Sequence, residues 1–212
     1  MNRPLKIAAA IGISASMLMH CAAAQELPLR YQKVHQQGHS IAPKSGPWHC
    51  VRDNETGLLW EVKSVQEGAH YYKSTYSWFW QQQGTPRGGS CALADGYAPC
   101  DTEQLINLFN HIQYCGVSDW RLPNLSELQS LLDYSAYHGR ALVPAGLFPN
   151  TVRGPYWTSQ WDQALDQPIT VHFGTGEINH LSAQGVAWLR LVSGPVLAAK
   201  PANNPINKTA KN

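Results

Sequence analysis

Three sets of side chains in this sequence have the residue types that chemistry requires. The first is Asp119-Trp120-Arg121. In an extended segment alternate side chains share a face, so the carboxylate and the guanidinium stand together and the indole takes the other side. A guanidinium bonds two acceptors at once and can pin a loop crossing. We therefore read Asp119, Trp120 and Arg121 as structural, because a half-buried charge needs a partner. The second set lies in residues 133–155 and in the turn after Tyr156-Trp157-Thr158-Ser159. It comprises Tyr137, His138, Arg140, Trp161 and Asp162. Ring faces for stacking beside polar groups for orientation suit an uncharged sugar or a patch of protein. A sulfated polymer needs several clustered cations, and only Arg140 and Arg153 lie in this stretch. The third set, His35, His39 and His49, sits in or beside a stretch without periodicity and reads as solvated histidine rather than a metal site.

No catalytic residue is expected. No nucleophile, base and orienting group recur together, and no nucleophile-elbow glycine pattern is present. Zinc is not expected, because the cysteines lack paired C-x-x-C spacing. The sets Phe148-Pro149-Asn150 and Trp161-Asp162-Gln163 are too thin for calcium. No cofactor follows from any motif.

Residues 1–24 read as an export signal. Arg3 and Lys6 precede an apolar run over residues 7–19, and Ala22-Ala23-Ala24 forms a small-residue cleavage site before Gln25. The run is too short for a bilayer-spanning helix, and nothing else is long and apolar enough, so an integral membrane protein is not expected. Cys21 offers a lipoprotein alternative, disfavoured because His20 stands where a small residue is wanted. The destination is thus periplasm, cell surface or medium. Residues 47–195 carry eight basic and thirteen acidic residues, while the basic excess lies in the tails. A domain of that sign is a poor nonspecific binder of nucleic acid. Removing Cys21 leaves Cys50, Cys91, Cys100 and Cys115, an even number in an exported chain, which reads as two disulfides. Three pairings are open. Cys91–Cys100 with Cys50–Cys115 is the expected one, the first closing a short loop and the second a long one.

These sets need elements to hold them. Residues 25–46 read as a linker or extended arm. Cys50–Asp53 and Leu58–Val62 flank a turn through Gly57 and form a hairpin. Tyr71, Tyr72, Tyr76, Trp78, Phe79 and Trp80 form an aromatic cluster that either packs the core or stacks on a ligand. Asp101 or Thr102 caps a helix carrying Leu105, Ile106, Phe109 and Ile112 on one face. Residues 115–128 read as a short strand, a turn and a helix start. Pro123 stops helix before it, Asn124 caps, and Glu127 completes a capping box. Leu125, Leu128, Leu131 and Leu132 share that helix's inner face. Strands are expected at 156–159, 169–173, 177–181 and 186–192, and residues 195–212 read as a disordered tail. Two helices and a run of antiparallel strands make an α+β domain over 47–194.

CVRDNETGLLWEVK (50–63), CGVSDWRLPNLSEL (115–128), Tyr156-Trp157-Thr158-Ser159 and Trp188-Leu189-Arg190-Leu191-Val192 together resemble the Lcl C-terminal domain family. The family takes its name from the C-terminal domain of a bacterial collagen-like adhesin. The resemblance covers about residues 47–194. It implies a C-type-lectin-like fold, related to sulfatase-modifying enzymes, and an adhesin domain that in the namesake binds sulfated glycosaminoglycans. The chain departs from that pattern in having no Gly-X-Y stalk before the domain, and in its acidic balance. The expected function is an exported, non-enzymatic binding or adhesion module for a glycan or a surface protein. A structural subunit of an envelope complex or appendage is the alternative. A sulfatase-modifying-type enzyme is more remote, since each mature cysteine has a disulfide role.

Overall fold

A computed structural model describes residues 29–93, 96–135 and 139–198. The export signal, Cys21, Tyr137, His138 and residues 199–212 lie outside that range.

The main sheet is built from β1 (Tyr31–Val34), β2 (Ser40–Ile41), β3 (Cys50–Asp53), β4 (Leu59–Glu61) and β12 (Val192–Ser193), in the order β12-β4-β3-β1-β2, antiparallel throughout. The β3–β4 hairpin forms where the sequence places it. Asp53 N–H donates to Leu58 O and Gly57 N–H to Asp53 O, and Gly57 takes φ +76°, which a side chain would strain. The stretch read as a linker or extended arm is a hairpin over 31–41. Its first strand pairs along the whole of β3, Tyr31 opposite Asp53 and Val34 opposite Cys50. Sheet pairing satisfies the backbone there even though the side chains show no apolar periodicity.

Period-two alternation in β4 divides the core. Leu58, Trp60 and Val62 join one cluster with Leu128, Leu131, Phe148, Tyr156, Val171 and Phe173. Leu59 joins the other, with Tyr76, Trp78, Leu105, Ile106, Phe109, Trp120, Trp157 and Leu191. Each cluster receives one helix. α1 (Thr102–His111) carries Leu105, Ile106 and Phe109 into the second of these, and α2 (Leu125–Ser130) carries Leu128 into the first. Both helices begin with a complete capping box, Asp101 with Gln104 and Asn124 with Glu127.

A second sheet, β11-β10-β9, comprises β9 (Pro155–Asp162), β10 (Gln167–His172) and β11 (Ile178–His180). Two small hairpins complete the strands: β5 (Phe79–Trp80) with β6 (Gln83–Gly84), and β7 (Gly89–Leu93) with β8 (Gly96–Cys100). The described chain is therefore a mixed helix and antiparallel-strand domain.

Two expected strands take other forms. Cys115 lies in a 3-10 turn over Tyr114–Gly116 at φ 53°, and the segment after it makes a single bridge, Arg121 with Val192. Residues 186–191 run extended through bridges of Ala187 to Tyr76 and Trp188 to Tyr156 before β12 begins. The residues of the aromatic cluster lie on no helix. Tyr71, Tyr76 and Trp78 are buried, while Phe79 and Trp80 are half-buried in β5.

Candidate functional site

The stretch around Trp120 is a hub of hydrogen bonds. Trp120 is buried, and Asn110 of α1 clamps its backbone, donating from Nδ2 to the carbonyl at 3.0 Å and accepting its N–H at 2.7 Å. The indole N–H donates to Tyr114 O at 2.9 Å. Arg121 grips Glu127 with both guanidinium nitrogens, at 2.7 and 2.8 Å. The same carboxylate accepts from the backbone of Asn124 at 2.8 Å and of Leu197 at 2.9 Å. Burial works to raise the Glu127 pKa, but these hydrogen bonds outweigh it and hold the carboxyl below its ordinary value. Asp119 accepts from the Ser193 hydroxyl at 2.5 Å and from Gly194 N–H at 3.1 Å. Arg121 also donates to the carbonyls of Gly194 and Pro195. The start of the tail, over 195–198, is thus latched to this hub rather than free.

Of the residues expected to meet ligand, the three described ones, Arg140, Trp161 and Asp162, do not line one groove. Arg140 is exposed and lines a groove of about 390 Å³ with Val143, Phe148, Thr151 and Arg153, a lining that includes neither Trp161 nor Asp162. Trp161 lies half-buried against Trp78, with ring centroids 5.0 Å apart, and its N–H donates to Asp166. Asp162 accepts from Ala164 and Leu165 in the β9–β10 turn and pairs with His180 at 2.9 Å. Both side chains serve the hairpin they belong to.

A larger cleft, of about 470 Å³, opens at the end of β4. Lys63 is part of its lining, and Lys63 belongs to a buried charge cluster. Glu61, Lys63 and Arg190 are all buried, and Lys63 Nζ stands 2.6 Å from Glu61 Oε1. The other Glu61 oxygen accepts from Leu191 N–H at 3.0 Å. Arg190 lies over the Phe148 ring at 4.9 Å, donating to the Glu61 carbonyl at 2.6 Å and to the Thr151 hydroxyl at 2.8 Å. His70 approaches Glu61 at 3.5 Å and stacks on Tyr114 with centroids 3.9 Å apart. Burial would raise the Glu61 pKa, but Lys63 and His70 prevail and it sits below the ordinary value. Burial pulls Lys63 down against the pull of Glu61. Burial also lowers His49, helped by His35 and His70.

The cleft's walls are rings and amides. Trp48 is fixed by its N–H to Leu147 O at 2.8 Å, and Lys33 sits over its face at 3.7 Å. Asn150 opposite donates to Lys63 O at 3.1 Å. Of the three histidines read as solvated, His39 is exposed and His49 lines the cleft. His35 stacks on His39 and meets His49 edge-on, at 4.3 and 5.2 Å between centroids. Among the described residues no group of three His, Cys, Asp or Glu side chains is arranged to hold a metal. Sequence reasoning missed this site because Glu61 at the end of β4 and Lys63 just beyond it are ordinary residue types there. The available signal was a Glu-x-Lys spacing at the end of an otherwise apolar run, at Glu61-Val62-Lys63.

Two cysteine pairs stand at disulfide distance, Cys50 with Cys115 and Cys91 with Cys100, with Cα separations of 6.5 and 6.0 Å. They are the pairs expected from the sequence. No helix among the described residues is long and apolar enough to cross a membrane.

Two capped helices and antiparallel sheets, with two cysteine pairs at disulfide distance, define an α+β domain. The chain belongs to the Lcl C-terminal domain family, whose profile matches residues 49–193. Membership suggests a surface- or adhesin-associated domain. Comparison with curated proteins and with solved structures finds no match.

Proposed function

We propose that this protein is an exported, non-enzymatic binding module that recognises a glycan or a surface protein, on a C-type-lectin-like variant of the α+β architecture. The observation that carries the reading is the ring-walled cleft of about 470 Å³ beside Trp48, His70 and Tyr114. Concave sites of this size with aromatic walls and a few fixed polar groups suit one compact ligand. The cysteine pairs at disulfide distance fit an oxidising compartment outside the cytoplasm, and the signal-like residues 1–24 fit export. Cleavage after Ala24 is preferred to lipidation at Cys21. A non-catalytic role fits the engagement of the four mature cysteines in pairs.

A glycan array and an envelope pull-down, run with wild type, Trp48→Ala and Trp161→Ala, test the reading. Loss of binding in the Trp48 variant alone assigns recognition to the cleft. Loss in the Trp161 variant alone returns it to the β9–β10 surface. Capture of a single protein with no sugar signal supports a structural subunit instead.

A further inference from the structure

Residues 134–161 hold two arginines, Arg140 and Arg153, and no aspartate or glutamate. The domain around them is acidic, with eight basic and thirteen acidic residues over 47–195. The fold brings both arginines to one groove of about 390 Å³, whose lining includes Val143, Asn150 and Thr151 and no carboxylate. Both are exposed, and among the described residues neither guanidinium has a hydrogen-bond or ion-pair partner. A lone arginine in water needs no partner. Two on one concave surface without a counter-charge focus a positive potential there.

A third guanidinium adds to that potential from behind. Arg190 does not line the groove, but it touches two residues that do, lying over the Phe148 ring at 4.9 Å and donating to the Thr151 hydroxyl at 2.8 Å. Its other hydrogen bond goes to the Glu61 carbonyl, while the Glu61 carboxylate stands against Lys63. The protein interior screens the Arg190 charge less than water would. Guanidinium forks match the oxygens of carboxylate and phosphate. Charge separates the candidates. A carboxylate or a sulfate ester brings one negative charge, whereas a phosphate monoester brings about two near neutral pH and three acceptor oxygens. Two free cations fit the monoester, and the groove has room for it with one small attached ring. A longer polyanion meets the acidic remainder of the domain.

We propose that this groove is a binding site for a single phosphate monoester, held by Arg140 and Arg153. It adjoins the Trp48 cleft through Pro149 and Asn150, which line both, but Trp48 takes no part in it. The probes are glucose-6-phosphate, glucose-6-sulfate and glucose, which share a ring and differ in charge. Titrated into the full chain, the phosphate should bind about tenfold tighter than the sulfate, and glucose should not compete with it. Arg140→Gln and Arg153→Gln should each weaken phosphate binding about tenfold. Both side chains are exposed and unpaired, so the melting temperature should not move. Arg87→Gln removes the same charge from an exposed site outside the groove, and it should leave binding unchanged, as should Trp48→Ala. Vesicles of phosphatidylcholine with and without phosphatidic acid tell a lipid-borne ester from a soluble one. Capture by phosphatidic acid that Arg153→Gln abolishes puts the ester on a lipid; no capture, beside binding of glucose-6-phosphate, makes it soluble. Equal affinity for phosphate and sulfate overturns the proposal. So do binding that survives both groove variants and an equal loss in Arg87→Gln. Either result leaves recognition at Trp48 standing.

Discussion

Glu61 and Glu127 are both fully buried carboxylates gripped by cations, yet they are finished differently. Glu127 receives four donors, two from Arg121 and one each from the backbones of Asn124 and Leu197, so both oxygens are filled. The group caps a helix, pairs an arginine and fastens the C-terminal segment at once. Glu61 receives one backbone N–H and stands beside Lys63 and His70, and around it several donors have no acceptor. A saturated network specifies one conformation and has nothing left for a ligand. An unsaturated one costs stability. The contrast separates a saturated charge network from an unsaturated one inside the same domain.

The contrast can be broken at several points. The largest effect is expected for Arg190→Met. It leaves the Glu61 carbonyl and Thr151 without their donor in the core and should cost about 3–5 kcal/mol in urea unfolding. A loss under about 1 kcal/mol would mean that the buried cluster is not under the tension described.

Opening the Cys50–Cys115 pair comes next. It joins β3, next to Glu61 in register, to the turn that carries Tyr114, across a sequence separation of 65. The chain-entropy relation gives about 4 kcal/mol for the Cys50→Ala/Cys115→Ala variant and about 2.5 kcal/mol for Cys91→Ala/Cys100→Ala. Non-reducing peptide mapping first verifies the pairing. A larger loss from the short loop would show that native-state contacts, not loop closure, govern the difference.

Arg121→Ala sharpens the comparison, because it should lower stability by about 1.5–3 kcal/mol while leaving affinity at the cleft unchanged. Thermal unfolding and a sugar titration on the same sample measure both. A selective loss of binding at wild-type melting temperature would make the hub part of the recognition surface.

The smallest expected effect is a pH dependence. The Glu127 carboxyl is held below its ordinary value of 4.5. A depressed carboxyl contributes stability that is fully present above its unfolded pKa and is lost as pH falls through the folded one. Melting temperature should therefore hold from neutral pH to about 5 and drop below it. In Glu127→Gln the curve should start lower and fall less. An equal fall in both proteins would place the acid sensitivity at Glu61.

Much of the scaffold was legible. Asn124 and Glu127 stand three apart before a leucine stripe, and Gly57 follows a polar turn between two apolar runs; both patterns are local and the structure keeps both. The linker reading of 25–46 erred over residues 31–41. β1 has no apolar alternation, and its place in the sheet comes from pairing with β3. The candidate site was the least legible part. Tyr137 and His138 lie outside the described residues, and Trp161 and Asp162 proved to be engaged with Asp166 and His180 in their own hairpin.

By itself the sequence determined what depends on neighbours along the chain: helix starts, the turn at Gly57, the alternation that sends Trp60 and Leu59 to opposite faces, and the even cysteine count. These follow from backbone geometry within a few residues. Only the tertiary structure decided which charges are satisfied. Glu61 and Arg190 are 129 residues apart and meet because β4 and the closing segment run side by side, and His70 reaches the same carboxylate from a loop. Whether a buried carboxylate is filled or left short depends on donors brought from such distances, and no local pattern encodes that count.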